Sequence, residues 1–328
     1  MKEPIRIAVI GVGAFGALHA RTLGALPEAR LVALGNRTRS KAEQLARELG
    51  VPNVFSAVEE LIERKVADAL VIATNTDTHV PIAKAALDAG MHVLIEKPVG
   101  GNLADVRSLE EVCRKSNRVA MAGHICLFHS LVAPLIERVQ QAGFRSAHFV
   151  RHRSAGIAKL FPEEHPIMLT MVHDLYVAAQ LAGGAEPKSF DALDALNSKG
   201  KADHAWGTLC WDDGRVATFH SHWILPEGSP GDGFDWLEVF GQSYHTRVNT
   251  NPQNWTWTQD KVTWPIALEM SMVHGRPTGM LAEELRSFIA ACQGAPVPSG
   301  CRLQNAVQVQ SWMEQLLKSA QSKRASKL

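Results

Sequence analysis

The chain has 328 residues, of which 46% are hydrophobic and 20% are charged, and its formal net charge at pH 7 is +1. This balance predicts an ordinary globular protein of two domains and excludes nucleic acid and anionic membrane surfaces as partners bound through charge. Five cysteines without a C-x-x-C pair argue against a disulfide framework and a structural zinc site. No apolar run approaches the roughly 18 residues of a membrane span, and no secretory signal precedes the first predicted strand, so we expect a cytoplasmic protein.

Up to residue 123, short apolar runs alternate with longer amphipathic segments. Strands are predicted at Ile5–Ile10, Leu31–Leu34, Ala69–Ala73, His92–Ile95 and Val119–Ala122, and helices at Ala14–Leu26, Ser40–Leu49, Val58–Arg64, His79–Ala89 and Asn102–Ser116. Ser40 and Asn102 are the expected N-caps of their helices. Apolar strands that alternate with helices are typical of a parallel sheet covered on both faces. We therefore predict an α/β fold for residues 1–123, a doubly wound parallel sheet of the Rossmann type.

Beyond residue 123 the pattern changes to long segments in which polar and apolar residues alternate. Strands are predicted at Ala147–Arg153, Ser189–Leu196, Ala205–Trp211, Arg215–Trp223, Trp236–Phe240, His245–Asn249 and Trp255–Thr258, and helices at Leu131–Ala142, Ile167–Leu181, Gly279–Cys292 and Asn305–Ala320. Asp212-Asp213-Gly214 is a turn signal that joins two of the strands into a hairpin. We expect residues 124–328 to form an α+β domain around a large, mostly antiparallel sheet, with the last helices free to pack back on the first domain.

Tryptophan is concentrated in this second part, where seven of the eight residues fall between positions 206 and 264. Such a cluster suits a half-buried sheet face. We therefore expect a homodimer or homotetramer formed through the antiparallel sheet.

A glycine-rich hexapeptide, Gly11-Val12-Gly13-Ala14-Phe15-Gly16, follows the first strand and opens the first helix. In this context Gly11 permits a tight turn, Gly13 lets backbone amides approach a pyrophosphate, and Gly16 lets helix and strand pack closely. The amides that begin the helix, at Ala14 and Phe15, attract phosphate. We therefore predict a nicotinamide dinucleotide site at residues 11–16.

The end of the second predicted strand indicates which coenzyme binds. An acidic residue about 20 positions after the glycine motif would hold the ribose 2′-hydroxyl of NAD. Asn36 occupies that position, and Arg37 and Thr38 follow it. These groups would accept the 2′-phosphate of NADP, which a carboxylate would repel. The sequence favours NADP(H), with NAD(H) as the alternative, since Asn36 would also hydrogen-bond a 2′-hydroxyl.

Two further segments follow later strands: Ala73-Thr74-Asn75-Thr76-Asp77-Thr78-His79 and Glu96-Lys97-Pro98. With the glycine motif and the change of pattern near residue 125, they resemble the Gfo/Idh/MocA family of oxidoreductases over nearly the whole chain. The resemblance implies that the cofactor is surrounded by Thr74, Asn75, His79, Glu96, Lys97 and Pro98. It also implies that Lys97 polarises the substrate oxygen beside the nicotinamide, and that a cis peptide before Pro98 fixes the lysine backbone.

The second signature of the family is an aspartate followed four residues later by a histidine, with both side chains on one helix face. His173 matches the histidine, but Leu169 occupies the place of the aspartate. Asp174 points about 100° around the helix, and Thr170, nearer in direction, cannot act as a base at neutral pH. The resemblance therefore implies that His173 alone donates and accepts the proton; the alternative is a histidine satisfied within the core.

Polar residues in the second domain are further candidates for the substrate pocket: Arg151, Arg153, His165, Thr170 and Asp174. The two arginines alternate along one predicted strand and so share a face. His220 and His222 share a strand face in the same way. No third ligand lies at a recognisable spacing from that pair, so we predict no metal site.

These features predict an NAD(P)-dependent oxidoreductase that transfers hydride between nicotinamide and a carbon bearing a hydroxyl or carbonyl. The resemblance implies a sugar, inositol or related polyol as the small-molecule substrate. A non-catalytic NADP-binding sensor, favoured by Leu169, is one alternative, and a reductase of a non-sugar carbonyl or dihydrodiol is another. Ser326-Lys327-Leu328 at the end of the sequence would direct a eukaryotic protein to peroxisomes instead of the cytoplasm.

Overall fold

The computed structural model describes residues 3–227, 229, 233–251, 256–257, 259, 262–263 and 271–325. The chain divides into two compact units, Met1–Phe128 with Glu269–Gln310, and His129–Leu268 with Ser311–Leu328. We call them the N-terminal unit and the C-terminal unit. The sequence suggested continuous domains of residues 1–123 and 124–328, whereas here Glu269–Gln310 joins the N-terminal unit.

Helices are distributed over both units. In chain order they are α1 (Ala14–Ala25), α2 (Arg39–Leu49), α3 (Val58–Arg64), α4 (Thr76–Asp88), α5 (Leu103–Ser116), α6 (Val132–Ala142), α7 (Gly156–Leu160), α8 (Val172–Leu181), α9 (Met280–Cys292) and α10 (Leu303–Ala325). Within the described part of the chain, no helix combines the length and apolarity that crossing a membrane requires. The predicted peroxisomal tripeptide, Ser326-Lys327-Leu328, lies outside the described residues.

Six strands form the sheet of the N-terminal unit: β1 (Ile5–Ile10), β2 (Ala29–Gly35), β3 (Asn53–Phe55), β4 (Ala69–Ile72), β5 (His92–Glu96) and β6 (Ala120–Gly123). They lie in the order β3-β2-β1-β4-β5-β6, and every neighbouring pair is parallel. All four residues of β4 are fully buried, because helices cover both faces of the sheet. This is the Rossmann strand order, so the predicted doubly wound sheet is confirmed.

The two N-caps predicted in this unit have different outcomes. The Asn102 side chain accepts a hydrogen bond from the Asp105 amide at 2.9 Å, so this cap is confirmed. The prediction for Ser40 is wrong, because α2 already begins at Arg39 and Thr38 holds the extended backbone of the cap position. A run of Thr38-Arg39-Ser40 offers two hydroxyl residues as caps, and the sequence does not decide between them.

The C-terminal unit is built on a second six-stranded sheet of β7 (Ser146–Ser154), β8 (Ser189–Leu196), β9 (Ala202–Cys210), β10 (Val216–Leu225), β11 (Phe234–Phe240) and β12 (His245–Asn251). Its order is β12-β11-β7-β10-β9-β8, and only the β7–β10 pair is parallel. The mostly antiparallel sheet is therefore confirmed. The β9–β10 hairpin is confirmed too, with Gly214 at φ +83° in its turn.

Short strands follow in two pairs, β13 (Thr256–Trp257) with β14 (Val262–Thr263) and β15 (Ser271–Val273) with β16 (Arg276–Thr278). The first and last residues of the predicted strand Trp255–Thr258 lie outside the described residues.

Alternate residues of the second sheet point to opposite faces. The inner face carries Phe149, Leu209 and Phe219, each at most 2% exposed, and packs against helical residues such as Leu316. The outer face carries Trp206, which is 39% exposed. The functional candidates of this unit are divided between the two faces.

The predicted helix Ile167–Leu181 changes pitch along its length. Its first part, Ile167–Met171, is π-helical, and α8 continues from Val172. A π-turn has more residues than an α-turn. Leu169 and His173 are four residues apart, but because of the π-helical turn their side chains do not lie one above the other.

Candidate active site

The turn between β1 and α1 excludes side chains at two of its three glycines. Gly11 has a φ of +89°, and a Cβ there would lie 2.4 Å from the Ala73 carbonyl oxygen. A Cβ at Gly16 would lie 1.8 Å from the Gly11 carbonyl oxygen. Neighbouring backbone thus requires glycine at both positions, since these distances are far below van der Waals contact.

Gly13 differs, because no atom lies within 4 Å of the position of its missing Cβ. This glycine is exposed and occupies the N-cap position of α1, where no side chain makes a capping hydrogen bond. The backbone N–H groups at Ala14, Phe15 and Gly16 therefore begin the helix beside open space. Such a start, with its partial positive charge, fits the pyrophosphate of a dinucleotide.

The end of β2 lies against this turn through Asn36. The Asn36 Oδ1 accepts a hydrogen bond from the Val12 amide at 3.2 Å, and its Nδ2 donates to the Thr38 carbonyl at 3.0 Å. Arg37 and Thr38 are exposed beside it, and Arg39 pairs with Glu43. Asn36 thus occupies the position of a ribose-binding acidic residue, and it offers an uncharged amide where that residue would offer a carboxylate.

The segment after β4 is held to the segment after β5 by His79. The His79 ring is buried; its Nδ1 lies 2.9 Å from the Pro98 carbonyl oxygen and its Nε2 lies 3.0 Å from the Thr74 carbonyl oxygen. A neutral imidazole donates to one of the two at a time. Asn75 is exposed at the N-cap position of α4. Among the predicted cofactor residues, His79 therefore joins Thr74 to Pro98 and does not itself face solvent.

Lys97 follows β5 directly and is half-buried, between the buried residues Glu96 and Pro98. The Lys97–Pro98 peptide is cis, as the resemblance implied. The Lys97 amide donates to Glu96 Oε2 at 3.2 Å, while Glu96 Oε1 lies 2.7 Å from His19 Nε2. The backbone of Lys97 is thereby fixed at the carboxyl edge of the parallel sheet, where such folds bind ligands.

Behind this edge lies a buried acidic pair. A ring nitrogen of His19 and one carboxylate oxygen each of Glu96 and Glu284 lie within 4.8 Å of one another, although Glu284 comes from α9. Burial, with the nearby Glu96 charge, raises the pKa of the Glu284 carboxyl well above its ordinary value. Neither Glu284 oxygen has a hydrogen-bond partner among the described residues. A neutral Glu284 explains this arrangement, because two ionised carboxylates would repel each other here.

His124 lies close to the same pair and donates from Nδ1 to the Gly300 carbonyl oxygen at 2.7 Å. Burial lowers the pKa of His124 to about 4. The ring is therefore neutral at pH 7, and it adds no positive charge to the group behind Lys97.

In the C-terminal unit, His173 has an oriented ring. Its Nδ1 lies 2.8 Å from the hydroxyl of Tyr176, which is 1% exposed and fixed in the core. The histidine itself is only partly buried. Three residues along a helix bring the two side chains to the same face. The Tyr176 hydroxyl is therefore a fixed group in contact with one ring nitrogen of His173.

The predicted substrate residues Arg151, Arg153 and Asp174 take part in an internal ion network with Asp235. Arg151 makes a two-point contact with Asp174, at 2.8 and 3.2 Å, and a third bond of 2.8 Å to Asp235. Arg153 also pairs with Asp235, at 2.8 Å for the longer of two contacts. Burial raises the pKa of the Asp174 carboxyl, and Arg151 opposes that shift. These ion pairs join β7, α8 and β11.

Two more predicted substrate residues are engaged within the fold. His165 accepts from the Ile167 amide at Nδ1, and its Nε2 lies 3.1 Å from Asp194 Oδ2. The buried hydroxyl of Thr170 donates to the Pro166 carbonyl and lies 2.6 Å from the Ser221 hydroxyl. Both residues therefore shape the helical segment that leads to His173.

His220 and His222 share one face of β10, as expected from their spacing, and this is the outer face of the sheet. His152, on a neighbouring strand, brings a nitrogen within 4.8 Å of theirs. Spacing along the sequence could not show this, since the three residues meet through strand register.

Some residues of the site were missed by sequence reasoning. Tyr176 was detectable, because it follows His173 by three residues and so shares its helix face. The aspartate signature concerns only a residue that precedes the histidine. Glu284 also carried a signal, as a charge among the apolar residues of α9. Asp235 had no local signal, since its partners come from distant parts of the chain.

Known proteins share both the sequence and the fold. The profile of an oxidoreductase family with an NAD-binding Rossmann fold, GFO_IDH_MocA, matches residues 5–124. Over 224 residues the chain is 31% identical to UDP-N-acetylglucosamine 3-dehydrogenase of Acidithiobacillus ferrooxidans, covering 68% of each protein. The solved structure of that enzyme has a TM-score of 0.81 at 25% identity, over 98% of this chain and 99% of the other.

A second solved structure, scyllo-inositol dehydrogenase from Lactobacillus casei with bound NAD(H) and scyllo-inositol, has a TM-score of 0.80 at 17% identity over 98% of both chains. It shows the shared fold. Matches to several inositol dehydrogenases span about half of the length of those proteins. Because the match to the Acidithiobacillus enzyme extends over two thirds of both proteins, the chain belongs to the Gfo/Idh/MocA family of oxidoreductases.

Proposed function

We propose that this chain is a dehydrogenase that transfers hydride between a nicotinamide coenzyme and a CH–OH carbon of a sugar, inositol or related small polyol. The observation that carries the proposal is the bridge made by His79 between the Thr74 and Pro98 carbonyls. It holds Lys97 at the sheet edge that also bears the glycine turn, whose Gly11 lies against Ala73. Relatives named for UDP-N-acetylglucosamine and inositols support this substrate class.

Lys97 would act on the substrate oxygen. Bound nicotinamide supplies or accepts the hydride. The Lys97 ammonium would donate a hydrogen bond to the reacting oxygen and stabilise the negative charge that develops there. The contact of Glu96 with the Lys97 amide would keep that donor in place.

His173 would exchange the hydroxyl proton. In the tautomer whose Nδ1–H donates to the Tyr176 oxygen, the lone pair of Nε2 accepts a proton. Because Tyr176 is buried, its hydroxyl holds the ring in one orientation. We propose Tyr176 as a positioning residue that replaces the family aspartate in orientation but not in charge.

The test is a turnover screen with NAD⁺ and NADP⁺ over sugars, nucleotide sugars and inositols. Lys97→Ala should lower kcat/KM by about 10²–10⁴-fold, because a positioned acid–base group contributes that much, while coenzyme affinity is nearly kept. Lys115→Ala, at an exposed lysine of α5, is the matched control. Turnover of Lys97→Ala at the wild-type rate would show that the site is misplaced, and a chain without affinity for either coenzyme would overturn the function.

One observation favours a second candidate function, an NADP-binding sensor without catalysis. Leu169 gives no carboxylate to the proton-exchange site. A sensor would bind coenzyme tightly and turn over none of the panel, and ligand responses would be the same in Lys97→Ala.

For the coenzyme, we propose a preference for NADP(H) over NAD(H). The amide of Asn36 and the exposed guanidinium of Arg37 support it, since both suit a 2′-phosphate. Arg37→Ala should weaken NADPH binding by about 1–3 kcal/mol more than NADH binding, as expected for a lost charge-assisted contact. Arg39→Ala is the control, because Arg39 pairs with Glu43. Equal weakening of both coenzymes in a titration would remove the preference.

We also propose that the protein forms a homodimer or homotetramer through the outer face of the second sheet. Three aromatic side chains support this, since Trp206, Phe234 and Phe240 are 39%, 39% and 37% exposed. Light scattering at micromolar concentration tests it, and a monomer would contradict it.

A further inference from the structure

Four histidines meet on the outer face of the second sheet: His152 on β7, His204 on β9, and His220 and His222 on β10. The register explains their meeting, because His222 is paired with His152 on one side and with His204 on the other. His220 precedes His222 by two residues and so points to the same face. We call these residues the histidine cluster.

The rings lie close enough to share a ligand. His152 Nε2 lies 3.3 Å from His220 Nδ1, and His204 Nε2 lies 2.7 Å from His220 Nε2. One ring nitrogen from each of His152, His220 and His222 lies within 4.8 Å of the other two. Zinc–nitrogen bonds of about 2.0–2.1 Å in tetrahedral geometry separate neighbouring ligand nitrogens by roughly 3.3 Å. The spacing within the cluster therefore suits one bound ion.

The surroundings keep these rings uncharged. Burial, together with repulsion from the other rings, lowers the pKa of His152 and of His222 to about 4. The pKa values of His204 and His220 are lowered as well, by burial first. Asp235 and Arg153 act on His152 with opposite signs, and Asp203 acts on His204. The lowered pKa values accompany the close packing of the four rings in a partly buried place.

Hydrogen bonding with carboxylates does not account for the cluster. In the part of the chain that the structure describes, no carboxylate hydrogen-bonds any of the four rings, and two of the contacts join one imidazole to another. Trp206 stacks on His220 with ring centroids 5.2 Å apart and shields one side. Such a partly buried, all-nitrogen ligand set is typical of sites for Zn²⁺, Ni²⁺ or Cu²⁺.

We propose that His152, His220 and His222 bind a divalent transition-metal ion, most favourably Zn²⁺, with a water as the fourth ligand. His204 is not a ligand, because it contacts Nε2 of His220 whereas His152 approaches Nδ1 of the same ring. The proposal is independent of the dehydrogenase function. Three imidazoles with a fourth position left to water give the tetrahedral coordination that Zn²⁺ prefers. The ion would link β7 to β10 across the only parallel pair of this sheet.

The experiment uses the full, untagged chain after removal of metals with a chelator. Zn²⁺ is titrated by calorimetry, and Co²⁺ by its visible absorption, which reports tetrahedral nitrogen coordination. We expect one ion per chain, with Kd at least tenfold weaker in His152→Ala and in His222→Ala. His245→Ala, at an exposed histidine of β12 outside the cluster, should bind as the wild type does.

Folding of the variants is checked by circular dichroism, and the milder His152→Asn serves if an alanine variant unfolds. Zn²⁺ should also raise the melting temperature of the wild type and leave that of the cluster variants unchanged. Absence of binding, or equal Kd in the wild type and both cluster variants, would overturn the proposal.

Discussion

The two units present their functional side chains in different ways. In the N-terminal unit, the candidate residues follow directly on the ends of β1, β4 and β5, and backbone groups make several of their contacts. In the C-terminal unit, polar groups stand inside strands and helices and meet across the fold, as Arg151, Asp174 and Asp235 do. The first arrangement is local in sequence, and the second depends on register.

This difference determines how each unit responds to substitution. In the glycine turn between β1 and α1, we expect substitutions to be tolerated unless the new Cβ would collide with backbone, as at Gly16. Where side chains pair in a buried place, removal of one partner leaves an uncompensated charge. The C-terminal unit should therefore lose more stability than the N-terminal unit when one of its charged residues is replaced.

The largest expected effect is that of Arg151→Met. It should lower the free energy of unfolding of the C-terminal unit by about 3–5 kcal/mol, because Asp174 then stays buried without its partner. Urea unfolding followed by tryptophan fluorescence measures it. All eight tryptophans belong to the C-terminal unit, so the signal reports this unit alone.

Two companions sharpen the result. Arg153→Met should cost less, since its side chain is 13% exposed and Asp235 keeps Arg151. The double variant Arg151→Met with Asp174→Leu should regain much of the loss, because it removes both charges of the pair. A loss under 1 kcal/mol in Arg151→Met alone would show that the network does not support the unit.

The fold was largely predictable, because periodicity along the chain records burial. Solid apolar runs such as Ala69–Ala73 led to the parallel sheet, and alternation in Arg215–Trp223 led to the antiparallel one. The parallel β7–β10 pair and the π-helical Ile167–Met171 were not predictable. Neither strand direction nor an extra residue in a helical turn changes the hydrophobic pattern.

The site was predictable only where its parts are contiguous. The Gly11–Gly16 turn and Glu96-Lys97-Pro98 each lie within a few residues, so their context was visible in the sequence. The sequence did not indicate that Arg151 also pairs with Asp235, because Asp235 is 61 residues beyond Asp174 and meets Arg151 through the β7–β11 register. A structural role in the ion network is therefore an alternative to the predicted role of these residues as substrate ligands.

Tyr176→Phe tests the side-chain orientation in the C-terminal unit. It removes the hydroxyl that contacts His173 Nδ1, so kcat should fall about tenfold, or about 1.4 kcal/mol in the barrier, with little change in KM. The control is Tyr244→Phe, at the other tyrosine of the chain, which loses a 2.5 Å bond to the Gly143 carbonyl. A kcat equal to that of the wild type, or an equal loss in both variants, would remove Tyr176 from the proton-exchange site.

The last expected effect concerns the exception in the N-terminal unit, the buried Glu284. Because its pKa is raised in the folded state, that state holds the proton more tightly than the unfolded chain. As pH rises from the ordinary value of 4.5 through the raised folded value, the unfolded state loses its proton first, so stability falls. Glu284→Gln keeps the shape without the charge and should abolish this loss.

Hydrogen exchange of the β1 and β4 amides, compared between variant and wild type at each pH, measures the effect in a unit without tryptophan. Protection in Glu284→Gln should match the wild type near pH 4 and exceed it increasingly toward pH 8. Glu283→Gln, at the exposed neighbour that pairs with Arg286, should show no such trend. A constant difference between Glu284→Gln and wild type across this range would mean that folding does not raise the pKa of Glu284. The buried pair behind Lys97 would then need a counter-charge that a neutral carboxyl does not supply.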